Sequence, residues 1–165
     1  MKRILCSLCL AVVLSVSIAS VAFGESPAPY GPKGKRFGAG LHLGDPTGFT
    51  LKGYLTQRFA LDGIVAWSFV DEALTIIGDG TFEILDIPID SRAITLPFYA
   101  GAGVKVGIDD ENDDTQVAVR VPVGLAVQWV NHPVEVFLEI APGVGLAPET
   151  NFDLTGGVGV RYYFF

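Results

Sequence analysis

Beyond residue 24 the chain has no cysteine. Everything after that point is therefore without disulfides and without thiolate metal ligands. Cys6 and Cys9 stand inside the first apolar run, too early for the lipid-bearing cysteine of a lipoprotein. Histidine is scarce as well, with only His42 and His132, which leaves little for imidazole-based metal or nucleophile chemistry. No apolar run after residue 24 is long enough for a membrane helix, although half of the residues are apolar. Basic residues are few: eleven Lys and Arg against eighteen Asp and Glu give a net charge of −7. Such a chain repels nucleic-acid phosphate, and no basic stripe offsets this. Glycine is plentiful, with twenty residues, and each costs about 1 kcal/mol in a helix interior.

The first 24 residues read as a secretory signal peptide. Lys2 and Arg3 precede an apolar run from Ile4 to about Ala22, and Ala22-Phe23-Gly24 supplies small residues for cleavage. Residues 25–36, ESPAPYGPKGKR, form a Pro/Gly-rich linker without periodicity, expected in the periplasm. From Phe37 to Phe165 the texture is uniform, which implies one domain.

The period of that domain is two. In residues 116–129, Val117, Val119, Val121, Val123, Leu125, Val127 and Trp129 alternate with Gln116, Ala118, Arg120, Pro122, Gly124, Ala126 and Gln128. Strict alternation marks strands with one oily and one small or polar face. Residues 49–56, 61–69, 94–106 and 134–140 repeat the pattern. Eight strands are expected, near 37–44, 48–57, 60–70, 73–86, 94–107, 115–129, 134–146 and 153–165. The fourth alternates weakly and is expected to be bulged or partly loop. Many of these runs exceed the usual five or six residues. Polar turns at 45–48, 109–114, 130–133 and 147–153 separate them.

The expected fold is therefore all-β, an eight-stranded antiparallel up-and-down barrel with short loops. The oily faces carry no charge, while Lys52, Asp62, Lys105, Arg120, Glu135, Glu139 and Arg161 share the opposite faces with glycines. Oily-out parity is that of an outer-membrane barrel with a lumen charge network. Buried charges must pair, so Arg120 and Arg161 are expected to meet Glu135 and Glu139. The terminal GGVGVRYYFF places Val160, Tyr162 and Phe164 on the oily face.

Together, GDPTGFTLKGYL, AVRVPVGLAVQW, VFLEIAP and GVGVRYYF resemble a family of small bacterial outer-membrane barrels of unknown function, compared with OmpX and the OmpA barrel. The resemblance covers about residues 37–165. It implies export through the Sec pathway and a monomer in the bacterial outer membrane. Outer-membrane lipid would be a partner, and the barrel assembly machinery would read Val160, Tyr162 and Phe164, leaving Phe165 as one extra residue. It implies no catalytic residue, no cofactor and no metal. The function expected on this basis is non-enzymatic, in envelope structure or surface interaction, with a porin-like wall.

Two other readings stay open. A lipid-modifying barrel enzyme would need a His and a Ser close together with a carboxylate, and His42 with Ser68 are the residues for it. A soluble periplasmic barrel binding an apolar ligand would need an oily lumen. Asp109, Asp110, Asp113 and Asp114 could hold a divalent cation weakly, but the stretch lacks the central glycine and distant glutamate of an EF-hand.

Overall fold

A computed structural model describes residues 30–67, 73–109 and 114–165. The signal peptide, Ser68 and residues 110–113 of the acidic stretch lie outside the described residues. Ten strand segments follow in order: β1 (Phe37–Asp45), β2 (Gly48–Tyr54), β3 (Phe59–Trp67), β4 (Ala73–Asp86), β5 (Ile94–Thr95), β6 (Pro97–Asp109), β7 (Asp114–Arg120), β8 (Val123–Trp129), β9 (Val134–Ala147) and β10 (Asn151–Tyr163).

These ten segments make eight staves of one closed antiparallel barrel. β5 and β6 form one stave, and β7 and β8 another, because β6 pairs with both β7 and β8 and β5 pairs with β8. Each break falls beside a proline, Pro97 or Pro122, which has no N–H to give to a ladder. The second break is bridged by Gly101 N–H donating to Pro122 O at 2.8 Å and Val121 N–H to Pro142 O at 2.9 Å. The remaining staves pair neighbour to neighbour, and β10 returns to β1 from Gly38↔Tyr163 to Asp45↔Gly156. No stave is left with a free edge.

β4 is more regular than its sequence suggests. It pairs with β3 from Phe59↔Phe82 to Trp67↔Leu74. Its one irregularity, between Glu83 and Leu85 against β6, is the expected bulge. The Pro/Gly-rich stretch 25–36 is described from Tyr30 onward. Its described part, Tyr30–Arg36, is docked across the barrel mouth. Tyr30 packs on Tyr54, Ala60 and Tyr163, Arg36 lies 4.2 Å over the Tyr30 ring, and Pro32 is buried. Gly31 has φ +59°, and a Cβ there would strike the Tyr54 ring and the Lys35 carbonyl, so only glycine suits this corner. Phe165 ties the end of the last strand to this segment. Its carbonyl accepts the N–H groups of Arg36 and Phe37 at 2.5 and 2.7 Å, and its ring stacks on Phe37.

The period-two pattern decides which side chains enter the barrel. β3 alternates without error between buried Ala60, Asp62, Ile64 and Ala66 and the outward Leu61, Val65 and Trp67. Leu41, Leu43, Phe49, Leu138, Ile140, Leu154 and Val160 are likewise exposed. The interior holds His42, Thr50, Lys52, Asp79, Thr81, Arg120, Gln128, Glu135, Glu139, Thr155 and Arg161. Glycines make room for the larger groups: a Cβ at Gly124 would enter the Tyr99 ring, and one at Gly159 the Phe137 ring.

Candidate functional site: a filled polar interior within an apolar wall

The interior divides into two charge clusters. The first lies toward the chain ends and is centred on Arg161. Its guanidinium donates to Glu135 Oε1 at 2.8 Å and to Thr50 Oγ1 at 2.9 and 3.1 Å. It is paired with Asp62 Oδ1 at 2.7 Å and covers the Phe137 ring at 3.8 Å. Lys52 stands 3.9 Å from Asp62 and 4.0 Å from Glu135, between the rings of Tyr54 and Tyr99. Gln128 donates to Glu135 and to the Tyr54 hydroxyl, and Tyr54 donates to Glu83 at 2.6 Å. Tyr163 donates to Glu135 at 3.2 Å.

Arg120 centres the second cluster. It donates to Glu139 and to Thr155 Oγ1, and its Nε lies 3.3 Å from Asp79 Oδ1. Tyr99 donates to Glu139 at 2.9 Å. At the mouth beyond this cluster Lys105 pairs with Asp153.

Electrostatics follow from the partners. Burial pushes the Glu135 carboxyl up, but Lys52 and Arg161, with hydrogen bonds from Arg161 and Gln128, outweigh it and hold it below the ordinary carboxylate range. Burial pushes Glu83 up. Burial also raises Asp79, to about 7, with Arg120 pulling against it and Glu139 and Asp62 adding to the rise.

All seven charged residues singled out from the sequence point inward. Lys52, Asp62, Arg120, Glu135, Glu139 and Arg161 are buried, and Lys105 is half-buried at the mouth. Arg120 meets Glu139, and Arg161 meets Glu135. Sequence reasoning missed Asp79 and Glu83. The alternation Thr75, Ile77, Asp79, Thr81, Glu83 carries the signal, obscured by Gly78, Gly80 and the bulge beyond. Val160, Tyr162 and Phe164 are exposed on the outer face.

His42 faces the barrel interior, and Ser68, the serine weighed with it, lies outside the described residues. The Nδ1 of His42 lies 2.7 Å from the backbone carbonyl of Pro46, where a catalytic triad would have a carboxylate. Its ring stacks on Phe137. Among the described residues, no three His, Cys, Asp or Glu are grouped to hold a metal ion.

No family model, no curated protein and no solved structure matches the chain. The resemblance to small outer-membrane barrels finds no counterpart and is set aside. With it go the assignments that it carried: outer-membrane location, lipid and assembly-machinery partners, and a role in envelope structure or surface interaction. The porin-like reading fails on the structure itself, since ion pairs fill the barrel where a channel would run.

The charged interior does not identify the medium outside, because the wall stands between them. A barrel in water turns oily side chains inward and polar ones outward; here that order is reversed. No described helix is long and apolar enough to cross a membrane, which says nothing of strands.

Proposed function

We propose that the protein is a non-catalytic barrel whose working surface is its apolar outer wall, built around an ion-paired interior. The observation that carries this reading is the distribution of exposed bulky side chains. They include Leu41 and Leu43 on β1, Phe49 on β2, Leu61 and Val65 on β3, Phe82 and Ile84 on β4, Val104 on β6, Val119 on β7, Leu138 and Ile140 on β9, and Leu154 and Val158 on β10. An apolar surface on so many staves far exceeds the patches that soluble monomers expose. The interior supplies rigidity, because its charges are paired across the barrel.

The test is dispersal. The refolded chain is expected to be monodisperse in a mild detergent and to aggregate when the detergent is removed. A folded, monodisperse monomer in plain buffer would overturn the reading. Catalysis is tested separately: His42→Ala is expected to leave any lipid-hydrolysing activity of the preparation unchanged.

A further inference from the structure

The interior is not charge-balanced. Lys52, Arg120 and Arg161 face five carboxyl groups, Asp62, Asp79, Glu83, Glu135 and Glu139. The imbalance is sharpest around Arg120, which serves two carboxylates. Glu139 receives hydrogen bonds from both Arg120 and Tyr99. Asp79 has only the flank of the guanidinium, at 3.3 Å, and its Oδ1 makes no hydrogen bond in the structure. It is nevertheless 4 % exposed. A buried carboxylate with one poorly aligned cation is costly to keep ionised.

The surroundings of Asp79 offer no second cation of its own. Asp62 faces it from β3, Arg120 from β7, Glu139 from β9 and Arg161 from β10. Its other neighbouring strand, β6, presents Gly103, where a Cβ would overlap the carboxylate oxygen, and inward Lys105, two residues along, which is paired with Asp153. The glycine is the space that the carboxyl group occupies. Arg161 is already held by Asp62 and Glu135.

We infer that Asp79 is a proton-binding site in the barrel core, and that its proton decides whether Arg120 is held by Glu139 alone or divided between two carboxylates. The rise of its pKa to about 7 agrees with this geometry. The sign follows from linkage. The ordinary value is 3.8, so the folded state binds the proton more tightly than the unfolded one. This contribution to stability is complete below the unfolded value and is lost as pH rises through the folded one. Across that window the folding equilibrium weakens by up to about tenfold per pH unit.

The experiment compares wild type with Asp79→Asn, which keeps the shape and cannot ionise, by denaturant midpoint in detergent from pH 4 to 9. The two are expected to be alike at the acid end and to diverge between pH 4 and 7, with the variant the more stable above. Parallel curves would overturn the inference. A second measurement needs no variant: the carboxyl carbon resonance of Asp79 in the wild-type barrel is expected to show the protonated form at pH 5 and the ionised form by pH 9. An Asp79 already ionised at pH 5 would equally overturn it.

Discussion

At the scale of single residues, the interior glycines are as specific as the charges. A Cβ at inward Gly40 would coincide with the Val160 carbonyl on the neighbouring stave, whereas one at Gly78, on the outer face, meets nothing within 4 Å. Gly40→Ala is therefore expected to cost about 1–3 kcal/mol by overpacking, and Gly78→Ala to be neutral, both read as shifts in unfolding midpoint. Arg161 gives the opposite kind of test. Arg161→Met strands Glu135 and Asp62 without their guanidinium, and losing one partner of a buried pair costs about 3–5 kcal/mol. Adding Glu135→Gln is expected to recover part of that loss, because one orphaned charge goes with it. The inward parity of Arg161, Glu135, Arg120 and Glu139 was readable from alternation alone. The division of Arg120 between Glu139 and Asp79 was not, because it depends on how far β4 and β9 approach across the barrel.

At the scale of elements, alternation located the staves and failed where proline or a bulge interrupts it. Val121-Pro122 reads as continuous strand in the sequence, yet the ladder breaks there and is carried by the carbonyls of Pro122 and Pro142. Residues 30–36 show no periodicity, so nothing local signals that Tyr30 closes the mouth; its place depends on Tyr54 and Tyr163, distant in sequence. A chain beginning at Lys35 is expected to keep the barrel, because Arg36 and Phe37 retain their bonds to Phe165. Amide exchange should then quicken at Tyr54, Ala60 and Tyr163, beneath the lost stopper. Exchange at Val65 and Ile76, further along their strands, should stay as it was. Uniform acceleration would mean that the segment holds the whole barrel rather than its mouth.

At the scale of the molecule, closure makes the two ends of the domain neighbours. Phe37 and Phe165 are joined by a backbone hydrogen bond and by stacked rings. A short linker between Phe165 and Tyr30, with new ends opened in the exposed turn at Thr56-Gln57, is expected to preserve the fold, as exposed turns tolerate such cuts. Opening instead within β9 between Phe137 and Leu138 is expected to abolish it, since the cut would fall between Glu135 and Glu139. Strand content and denaturant midpoint distinguish the two permutants. Which face of each stave looks outward was legible in the sequence as chemistry; what the wall rests against is a property of the surroundings, and family resemblance did not supply it.

The pairing of β1 with β10 also imposes an order in time. The first stave made during synthesis waits for the last, since its second partner is the thirteen residues that end at Tyr163. Until those residues emerge, β1 and β9 are open edges, and the Arg161 that neutralises Glu135 and Asp62 does not yet exist. Contacts that span nearly the whole chain are slow to form, and unfinished sheets with open edges aggregate. The nascent chain is thus committed to a long vulnerable interval, which ends in a single late step when the final stave locks wall and charges together.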